Sequence, residues 1–391
     1  MTSRDLHLLR KAHSEASLAS WLFTAPNPRV GALALCEGHV IGHGFHAQFG
    51  GPHAEENALI DAGAWDATQN TPISGVVDEM VVTLEPCSSE GGEKQRPPCA
   101  QLLLAAGIQR LVVGAVDPDS RHQSTGLQAL MSAGVEVVLL PEGQAFFEAL
   151  NPAFLQALKR DHRPWTLLKW ASSFDGKMAT DSGQSQWLSS DQSREEVHQL
   201  RALPGAVLVG YGTLLQDNPA LTARPSGEPL ALQPLRVFLL PKGKVPPSST
   251  AWNVPGPRLW ILEEGQAPQG VLRELQNPEQ DQFFFAPKNT SGKLALAPVL
   301  QHLREEKGIR RILVEGGSST HASFLSEGIA DSLVRYEAPL LLGGNNGALC
   351  CEGAEHPRHG IQLFSEERKA FGEDLRRAFL LQSPGFHSIS E

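Results

Sequence analysis

Short apolar runs alternate with helix-type segments along almost the whole 391-residue chain. In the first part, runs at 30–35, 80–84 and 110–115 have the length of strands, and segments at 52–62 and 99–106 have helical character. A chain that returns to a helix after most of its strands covers its sheet with helices. The pattern therefore predicts an α/β sandwich with a mixed or largely parallel sheet in this part of the chain.

A second α/β set follows a connecting segment. Its strand-type runs lie at 165–171, 206–210, 235–240, 258–262, 311–314 and 333–337. A chain of this length is expected to form two or three domains. We predict a first domain of residues 1–145, a connecting helix and linker at 146–164, and a second α/β domain of residues 165–391.

Charge and composition argue against several classes of protein. The chain has 33 Lys and Arg against 43 Asp and Glu, and its first 150 residues carry eight basic and 17 acidic residues. Because nucleic acids are polyanions, this part is a poor electrostatic match for them. No apolar run approaches the roughly 20 residues of a membrane-spanning helix, and no targeting signal is recognisable. Five cysteines, an odd number, do not fit a disulfide framework. We therefore expect a cytoplasmic protein without nucleic-acid or membrane partners.

The strongest chemical signal lies in the first domain. His53-Ala54-Glu55 is followed by Glu85-Pro86-Cys87 and then by Pro97-Pro98-Cys99. One histidine and two cysteines can supply three ligands to Zn²⁺ and leave the fourth position open to water, as in catalytic zinc sites. Zinc lowers the pKa of that water toward about 7, and Glu55 is near enough to move its proton. This pattern is typical of zinc-dependent nucleobase deaminases. The remaining cysteines are interpreted as structural: Cys36, Cys350 and Cys351.

Longer stretches of the first domain resemble a known family. Residues 24–31 (TAPNPRVG), 51–55 (GPHAE) and 83–87 (TLEPC) are similar to the deaminase domain of the bifunctional riboflavin-biosynthesis deaminase/reductases, which has the cytidine-deaminase-like fold. The resemblance implies zinc ligands, a proton shuttle and a pyrimidine contact. These are, in that order, His53, Cys87 and Cys99; Glu55; and Asn27.

The interval between the two cysteines departs from the family. Eleven residues, 88–98, separate Cys87 from Cys99, a longer interval than is usual, and Ser89 stands where the family has His. Residues 117–122 also differ from the usual Asp-Pro-Asn-Pro stretch. Two interpretations of the interval stay open: Lys94 or Arg96 reaches the substrate phosphate, or the interval is a solvated loop.

A set of polar residues is predicted to lie at strand ends of the second domain. They are Lys169, Asp175, Arg201, Asp217, Arg224 and Glu315. After the strand at 311–314 comes Glu315-Gly316-Gly317-Ser318-Ser319, and a helix is predicted next. Such a junction exposes backbone N–H groups that suit a phosphate, but from spacing alone an ordinary tight turn is the simpler interpretation.

The second domain resembles the reductase half of the same family, which is similar to dihydrofolate reductase in fold and uses NADPH. The resemblance rests on 169–177 (KWASSFDGK), 183–187 (GQSQW), 210–213 (GYGT), 217–224 (DNPALTAR) and 315–317 (EGG). It implies that NADPH contacts Ala171, Trp187, Thr213, Asp217 and the turn from Gly317 through Ser318 and Ser319. It implies that the substrate contacts Ser185, Arg201, Leu221, Arg224 and Glu315. Leu240-Pro241 departs from the Asp-Ser that is common in the family near the cofactor.

Together these patterns predict a bifunctional enzyme of riboflavin biosynthesis. The first domain is expected to hydrolyse the 2-amino group of a phosphoribosylamino-pyrimidine with Zn²⁺, and the second to reduce the ribosyl group to ribityl with NADPH. The expected partner is this small phosphorylated pyrimidine, and a homo-oligomer is compatible with the sequence. Two alternatives stay open: a deaminase of tRNA or other nucleic acid with an accessory domain, and a reductase whose deaminase half is only structural. The sequence indicates no proton donor for the reduction.

Overall fold

The computed structural model describes residues 3–88, 97–119, 123–243, 248–269, 280–350 and 353–382. The chain divides into two compact units, Met1–Lys159 and Arg160–Glu391. Within the described ranges, every helix is too short or too polar to cross a membrane.

The first unit is a five-stranded sheet covered by helices. Its helices are α1 (Ser3–Leu18), α2 (Trp21–Thr24), α3 (Ala54–Asp61), α4 (Cys99–Ala106), α5 (Thr125–Ser132), α6 (Glu142–Leu150) and α7 (Pro152–Leu158). Its strands are β1 (Gly31–Cys36), β2 (His39–Phe45), β3 (Trp65–Asp66), β4 (Thr71–Pro72), β5 (Glu79–Val82), β6 (Arg110–Val113) and β7 (Glu136–Leu139). The sheet order is β2-β1-β5-β6-β7, and β3 pairs separately with β4. The strands β5, β6 and β7 are parallel, whereas β1 is antiparallel to both of its neighbours.

Strand β1 shows how the two faces of this sheet differ. Leu33 and Leu35 point to the face that packs against α1, while Ala32 and Ala34 point to the core shared with α3 and α4. Because successive side chains of a strand point to opposite faces, the alternation of Leu and Ala gives one wide and one narrow interface. The narrow one lets α3, which carries His53 at its N-terminus, lie close to the sheet.

The second unit has a nine-stranded sheet. Its helices are α8 (Asp191–Ala202), α9 (Tyr211–Asp217), α10 (Thr250–Asn253), α11 (Leu296–Glu305) and α12 (Ser318–Ser326). Its strands are β8 (Trp165–Ser173), β9 (Ala206–Gly210), β10 (Leu235–Leu239), β11 (Arg258–Glu263), β12 (Asp281–Ala286), β13 (Arg311–Val314), β14 (Ser332–Ala338), β15 (Leu363–Phe371) and β16 (Asp374–Leu381). The order is β12-β11-β10-β9-β13-β8-β14-β16-β15. The strands from β12 to β14 are parallel, and β16 and β15 close the other side as an antiparallel hairpin.

The structure differs from the predicted elements in several places, which include the unpredicted strands β3 and β4 and helices α9 and α10. Strand β12 and the hairpin of β15 and β16 were not predicted, and the single helix expected from 146 onward is two helices that meet at Asn151-Pro152. Proline lacks the N–H that would continue α6, so a new helix begins at Pro152. The segment 146–164, predicted as a connecting helix and linker, buries Phe147 and Phe154 in the core of the first unit.

Candidate functional site

The position of α3 in the first unit depends on two glycines of β2. A Cβ atom at Gly42 would lie 2.3 Å from the Ala58 carbonyl oxygen, and one at Gly44 would lie 2.2 Å from the Ala54 carbonyl oxygen. Both distances are far below any normal contact, so only glycine allows the helix backbone to approach the strand this closely. The first turn of α3, with Glu55, is thereby held against the sheet.

Three predicted ligands converge at the N-termini of α3 and α4. His53 is the N-cap of α3, Cys99 is the first residue of α4, and Cys87 follows β5 in a loop. The Nδ1 atom of His53 lies 3.1 Å from the Sγ of Cys99 and 3.8 Å from the Sγ of Cys87. Among the described residues, these three form the group of potential metal ligands, with all ligand atoms within 4.8 Å of one another.

These distances fit a tetrahedral zinc ion. With Zn–N of about 2.0 Å and Zn–S of about 2.3 Å, a nitrogen and a sulfur on one tetrahedral zinc lie ~3.5 Å apart and two sulfurs lie ~3.8 Å apart. The two distances from His53 Nδ1 lie on either side of the nitrogen–sulfur value, and one nitrogen with two cysteine sulfurs is a donor set that zinc prefers. The three side chains can therefore hold Zn²⁺ and leave one coordination position for another ligand.

Glu55 is buried beside these ligands. It lies in the first turn of α3, two residues after His53, and is 3% exposed. A carboxylate in this position is adjacent to the metal ligands but is not one of the three residues whose ligand atoms cluster. Its placement fits the predicted proton shuttle.

Asn27 is held by a histidine that sequence reasoning missed. The Nδ2 of Asn27 lies 3.3 Å from the Nε2 of His46, and the Nδ1 of His46 lies 2.9 Å from the carbonyl oxygen of Pro52. A carbonyl only accepts, so Nδ1 carries the proton and Nε2 accepts from the Asn27 amide. Burial, and then His53, lower the pKa of His46 to about 4, which keeps the ring neutral. A single histidine after a strand carries no pattern that would have pointed to this role.

Glu85 connects the metal-binding loop to α5. Its buried carboxylate accepts hydrogen bonds from the backbone N–H groups of Ser124 at 2.9 Å, Gly126 at 3.2 Å and Asp117 at 3.3 Å. A carboxylate at the start of a helix is favoured by its free N–H groups and dipole. The predicted contacts in the neighbouring loops, Ser89, Lys94, Arg96 and residues 120–122, lie outside the described residues.

The candidate cofactor site of the second unit lies where two strand–glycine–helix turns meet. Thr320 of α12 contacts both turns, because a Cβ at Gly210 would lie 2.2 Å from its Oγ1 and a Cβ at Gly316 would lie 2.5 Å from its Cβ. Gly317 is the N-cap of α12 and has no side-chain cap. The free N–H groups of the first turn, at Ser318 and Ser319, therefore fit a phosphate group, and Thr213 lies against Gly317.

A largely buried ion-pair cluster lies beside this turn. Arg201 donates from Nε and Nη2 to the two carboxylate oxygens of Glu315 at 2.5 and 2.9 Å, and the Nζ of Lys169 lies 3.6 Å from the same carboxylate. Burial raises the pKa of Glu315, but Arg201 and Lys169 outweigh it and hold the pKa at about 2. Burial lowers the pKa of Lys169, and Glu315 opposes that shift. Glu315 directly follows β13, as predicted, but Lys169 lies in the middle of β8 and Arg201 lies in α8, so these two are not at strand ends.

Four other predicted contact residues lie in different surroundings. Ser185, predicted for the substrate, donates to Asp217, predicted for the cofactor, at 2.8 Å. Trp187 is 70% exposed, and the guanidinium of Arg194 stacks 4.6 Å from its ring. Ala171 lies on β8, where it pairs with Tyr336 of β14.

Leu221 and Arg224 share one loop. Leu221 is buried with φ +55, a left-handed conformation that is unusual for a branched side chain. Arg224 is exposed, and its guanidinium has no hydrogen-bond partner among the described residues, so it is available to an anion. Asp175, in contrast, is bound to the protein itself, because it accepts from Ser173 Oγ and from the backbone N–H groups of Leu342 and Gly343.

Two family models match this chain. Residues 2–115 match the cytidine and deoxycytidylate deaminase zinc-binding region, and residues 164–376 match the RibD C-terminal domain. The chain is 40% identical to the riboflavin biosynthesis protein RibD of Chlamydia pneumoniae, over 88% of this chain and 86% of that one. It is 34% identical to the RibD of Escherichia coli K12, over 90% of this chain and 93% of that one.

Solved structures show the same similarity over both units. The RibD of Acinetobacter baumannii, form 1, has a TM-score of 0.69 at 29% identity and covers 97% of this chain and 99% of that chain. A protein of Thermotoga maritima has a TM-score of 0.67 at 27% identity over the same shares. That protein is described as a diaminohydroxyphosphoribosylaminopyrimidine deaminase/5-amino-6-(5-phosphoribosylamino)uracil reductase.

Proposed function

Because this chain belongs to the RibD family of bifunctional deaminase/reductases of riboflavin biosynthesis, we propose that each unit uses the site residues described above on a phosphorylated pyrimidine. The proposed first substrate is 2,5-diamino-6-(5-phosphoribosylamino)pyrimidin-4-one, whose 2-amino group leaves as ammonia. The proposed second substrate is the resulting uracil derivative, whose ribosyl group is reduced to ribityl. The names of the Thermotoga activities support this assignment.

In the first unit, the convergence of His53, Cys87 and Cys99 beside Glu55 carries the proposal. These three side chains would hold Zn²⁺, which would supply a bound water of lowered pKa as the nucleophile. Glu55 takes a proton at its carboxylate and delivers it to the leaving amine. Asn27, oriented by His46, holds the polar edge of the pyrimidine. The acidic balance of the first 150 residues favours this small substrate over the alternative of a nucleic acid.

In the second unit, we assign the N-terminus of α12 and Thr213 to the NADPH phosphates and Arg224 to the phosphate of the substrate. NADPH supplies the hydride when it is bound. Ser185 and Asp217 form a hydrogen bond, so the residue assigned to the substrate and the residue assigned to the cofactor fix each other's orientation.

Lys169 is the group that we assign as the proton donor of the reduction. Its ammonium faces Glu315, and burial lowers its pKa, so it can release a proton more readily than an exposed lysine. When hydride adds to C1′ and the bond from C1′ to the ring oxygen breaks, that oxygen takes the proton from Nζ. The product then gains one hydride and one proton, which balances the reduction.

One assay tests the two halves separately. The full chain is incubated with the diamino substrate, with and without NADPH, and ammonia and the ribityl product are measured. We expect ammonia in both cases and the ribityl product only with NADPH. Ammonia released from RNA, but not from the pyrimidine nucleotide, would instead support a nucleic-acid deaminase. Reduction without any ammonia release would support a structural first unit.

A further inference from the structure

The loop at 220–226 is held by side chains that come from outside it. Gln233 bonds both the N–H and the carbonyl of Ala223, at 2.8 and 3.2 Å. Glu195 of α8 accepts from the N–H of Ser226 at 2.8 Å. This loop carries Leu221 and the exposed Arg224, so its backbone path decides where the guanidinium of Arg224 lies.

The carbonyl of Thr222 receives two donors from one face of α8. The Nδ1 of His198 lies 3.1 Å from this oxygen, and the Nη1 of Arg201 donates to it at 3.1 Å. His198 and Arg201 are three residues apart, so they lie side by side on the helix. Both donate to Thr222, the residue directly after Leu221. The left-handed φ of Leu221 costs conformational free energy. The two hydrogen bonds therefore offset part of this cost.

The contact between His198 and the Thr222 carbonyl defines which nitrogen of the imidazole carries a proton. A carbonyl oxygen cannot donate, so Nδ1 of His198 carries a proton and donates it. Burial first, and then the guanidinium groups of Arg201 and Arg224, lower the pKa of His198. The ring is therefore neutral at pH 7 and acts as a hydrogen-bond donor, not as a third cation beside the two arginines.

We infer that His198 is a positioning residue of the reductase: with Arg201 it holds the Thr222 carbonyl, fixes the Leu221 backbone and so directs Arg224 to the substrate phosphate. This inference rests on the proposed assignment of Arg224 to that phosphate. It predicts an effect on the phosphorylated substrate and none on the cofactor, because His198 donates to this loop and not to the N-terminus of α12.

The test compares His198→Leu with His198→Asn in the full-length protein. Asparagine places its Nδ2 near the position of Nδ1 and can still donate to Thr222, whereas leucine cannot. We expect His198→Leu to raise KM for the reductase substrate roughly 3- to 10-fold, the factor for one lost hydrogen bond. His198→Asn should restore most of the loss, and KM for NADPH and ammonia release should not change. Gln199→Leu, on the exposed side of the same helix, is the matched control and should behave as wild type.

Two further variants keep the result decisive. His198→Gln carries its amide at the position of Nε2, not of Nδ1, so it should lose the hydrogen bond to Thr222 as His198→Leu does. This variant replaces His198→Leu in the test if the leucine variant does not fold. Arg224→Ala, alone and combined with His198→Leu, shows whether the two residues act together. Coupled residues give a double variant little worse than Arg224→Ala alone.

The inference is overturned if KM for the substrate stays within twofold of wild type in His198→Leu, if His198→Asn is as impaired as His198→Leu, or if KM for NADPH rises by the same factor. A raised KM in Arg224→Ala with no change in His198→Leu would overturn the inference and leave the proposed function intact. No change in either variant would remove the phosphate assignment as well.

Discussion

Arg201 and Glu315 form a bidentate ion pair in the second unit, with side chains that are 15% and 8% exposed. Arg201 and Lys169 outweigh the burial of Glu315 and hold its pKa at about 2, below the ordinary value of 4.5. A carboxylate with a depressed pKa stabilises the fold above its ordinary pKa, and this contribution is lost as the pH falls toward the folded value. The pair therefore contributes at neutral pH and stops contributing between about pH 4.5 and 2.

The first prediction follows from this pair. Arg201→Met leaves the Glu315 carboxylate with Lys169 alone and should lower the free energy of unfolding by about 3–5 kcal/mol at pH 7. The difference from wild type should shrink as the pH falls through 4.5, because Glu315 then becomes neutral in the variant. Thermal unfolding at a series of pH values measures both effects. Arg368→Met, which breaks an exposed pair with Glu366, is the control and should hardly change the midpoint. A pH-independent difference would contradict the assignment.

The second prediction concerns Glu55. Glu55→Gln keeps the shape of the side chain but removes the proton-accepting carboxylate, so ammonia release should fall by roughly 10²–10⁴-fold. Zinc content, measured by elemental analysis, and the NADPH-dependent reduction should stay at wild-type levels. Glu142→Gln changes an exposed first-turn glutamate of another helix in the same unit and should leave all three unchanged. Deamination at a normal rate by Glu55→Gln would exclude the proposed shuttle.

The third prediction concerns the metal ligands. Cys99→Ser removes a thiolate ligand from the cluster and should lower the zinc content of the purified protein together with ammonia release. Cys36→Ser, at the end of β1 and outside the cluster, should keep both. Full zinc occupancy in Cys99→Ser would mean that the ion binds elsewhere.

The fourth prediction separates the two units. Arg224→Ala removes an exposed guanidinium that bonds no other described residue. It should raise KM for the reductase substrate about 12- to 150-fold, which corresponds to 1.5–3 kcal/mol for a hydrogen bond to a charged group. Ammonia release by the same preparation should be unaffected. Arg358→Ala, also exposed in this unit, should match wild type in both assays. A parallel loss of both activities in a folded Arg224→Ala protein would show that the sites are not separate.

The zinc-ligand cluster could be predicted from the sequence because each of its ligands belongs to a short, recognisable motif. His53 and Cys99 stand next to the starts of helices that the apolar spacing also indicates, so each motif could be placed on an element. His46 and His198 could not be found in this way. Each is a single histidine that bonds a side chain or a carbonyl of another element. No spacing rule in the sequence connects such a histidine with its partner.

Strand β16 was missed for a different physical reason. Its residues alternate between buried and half-buried, as a strand should, but two of the buried positions are Asp374 and Arg376. A hydrophobicity pattern cannot register a buried face that is built in part from charged side chains. The neighbouring β15 is an edge strand with many exposed and charged residues, which discourages pairing with other chains and also hides it from pattern analysis.

The contact of α3 with β2 has a consequence for variation at this site. Glycine in a strand weakens it, so Gly42 and Gly44 look like places where a valine or threonine would improve the protein. The backbone of α3 occupies the space that any such side chain would need. Substitution there would strengthen the local preference for a strand and at the same time push His53 and Glu55 away from the cysteines. The zinc cluster thus makes two positions of an edge strand, neither of which supplies a ligand, intolerant of the changes that elsewhere raise stability.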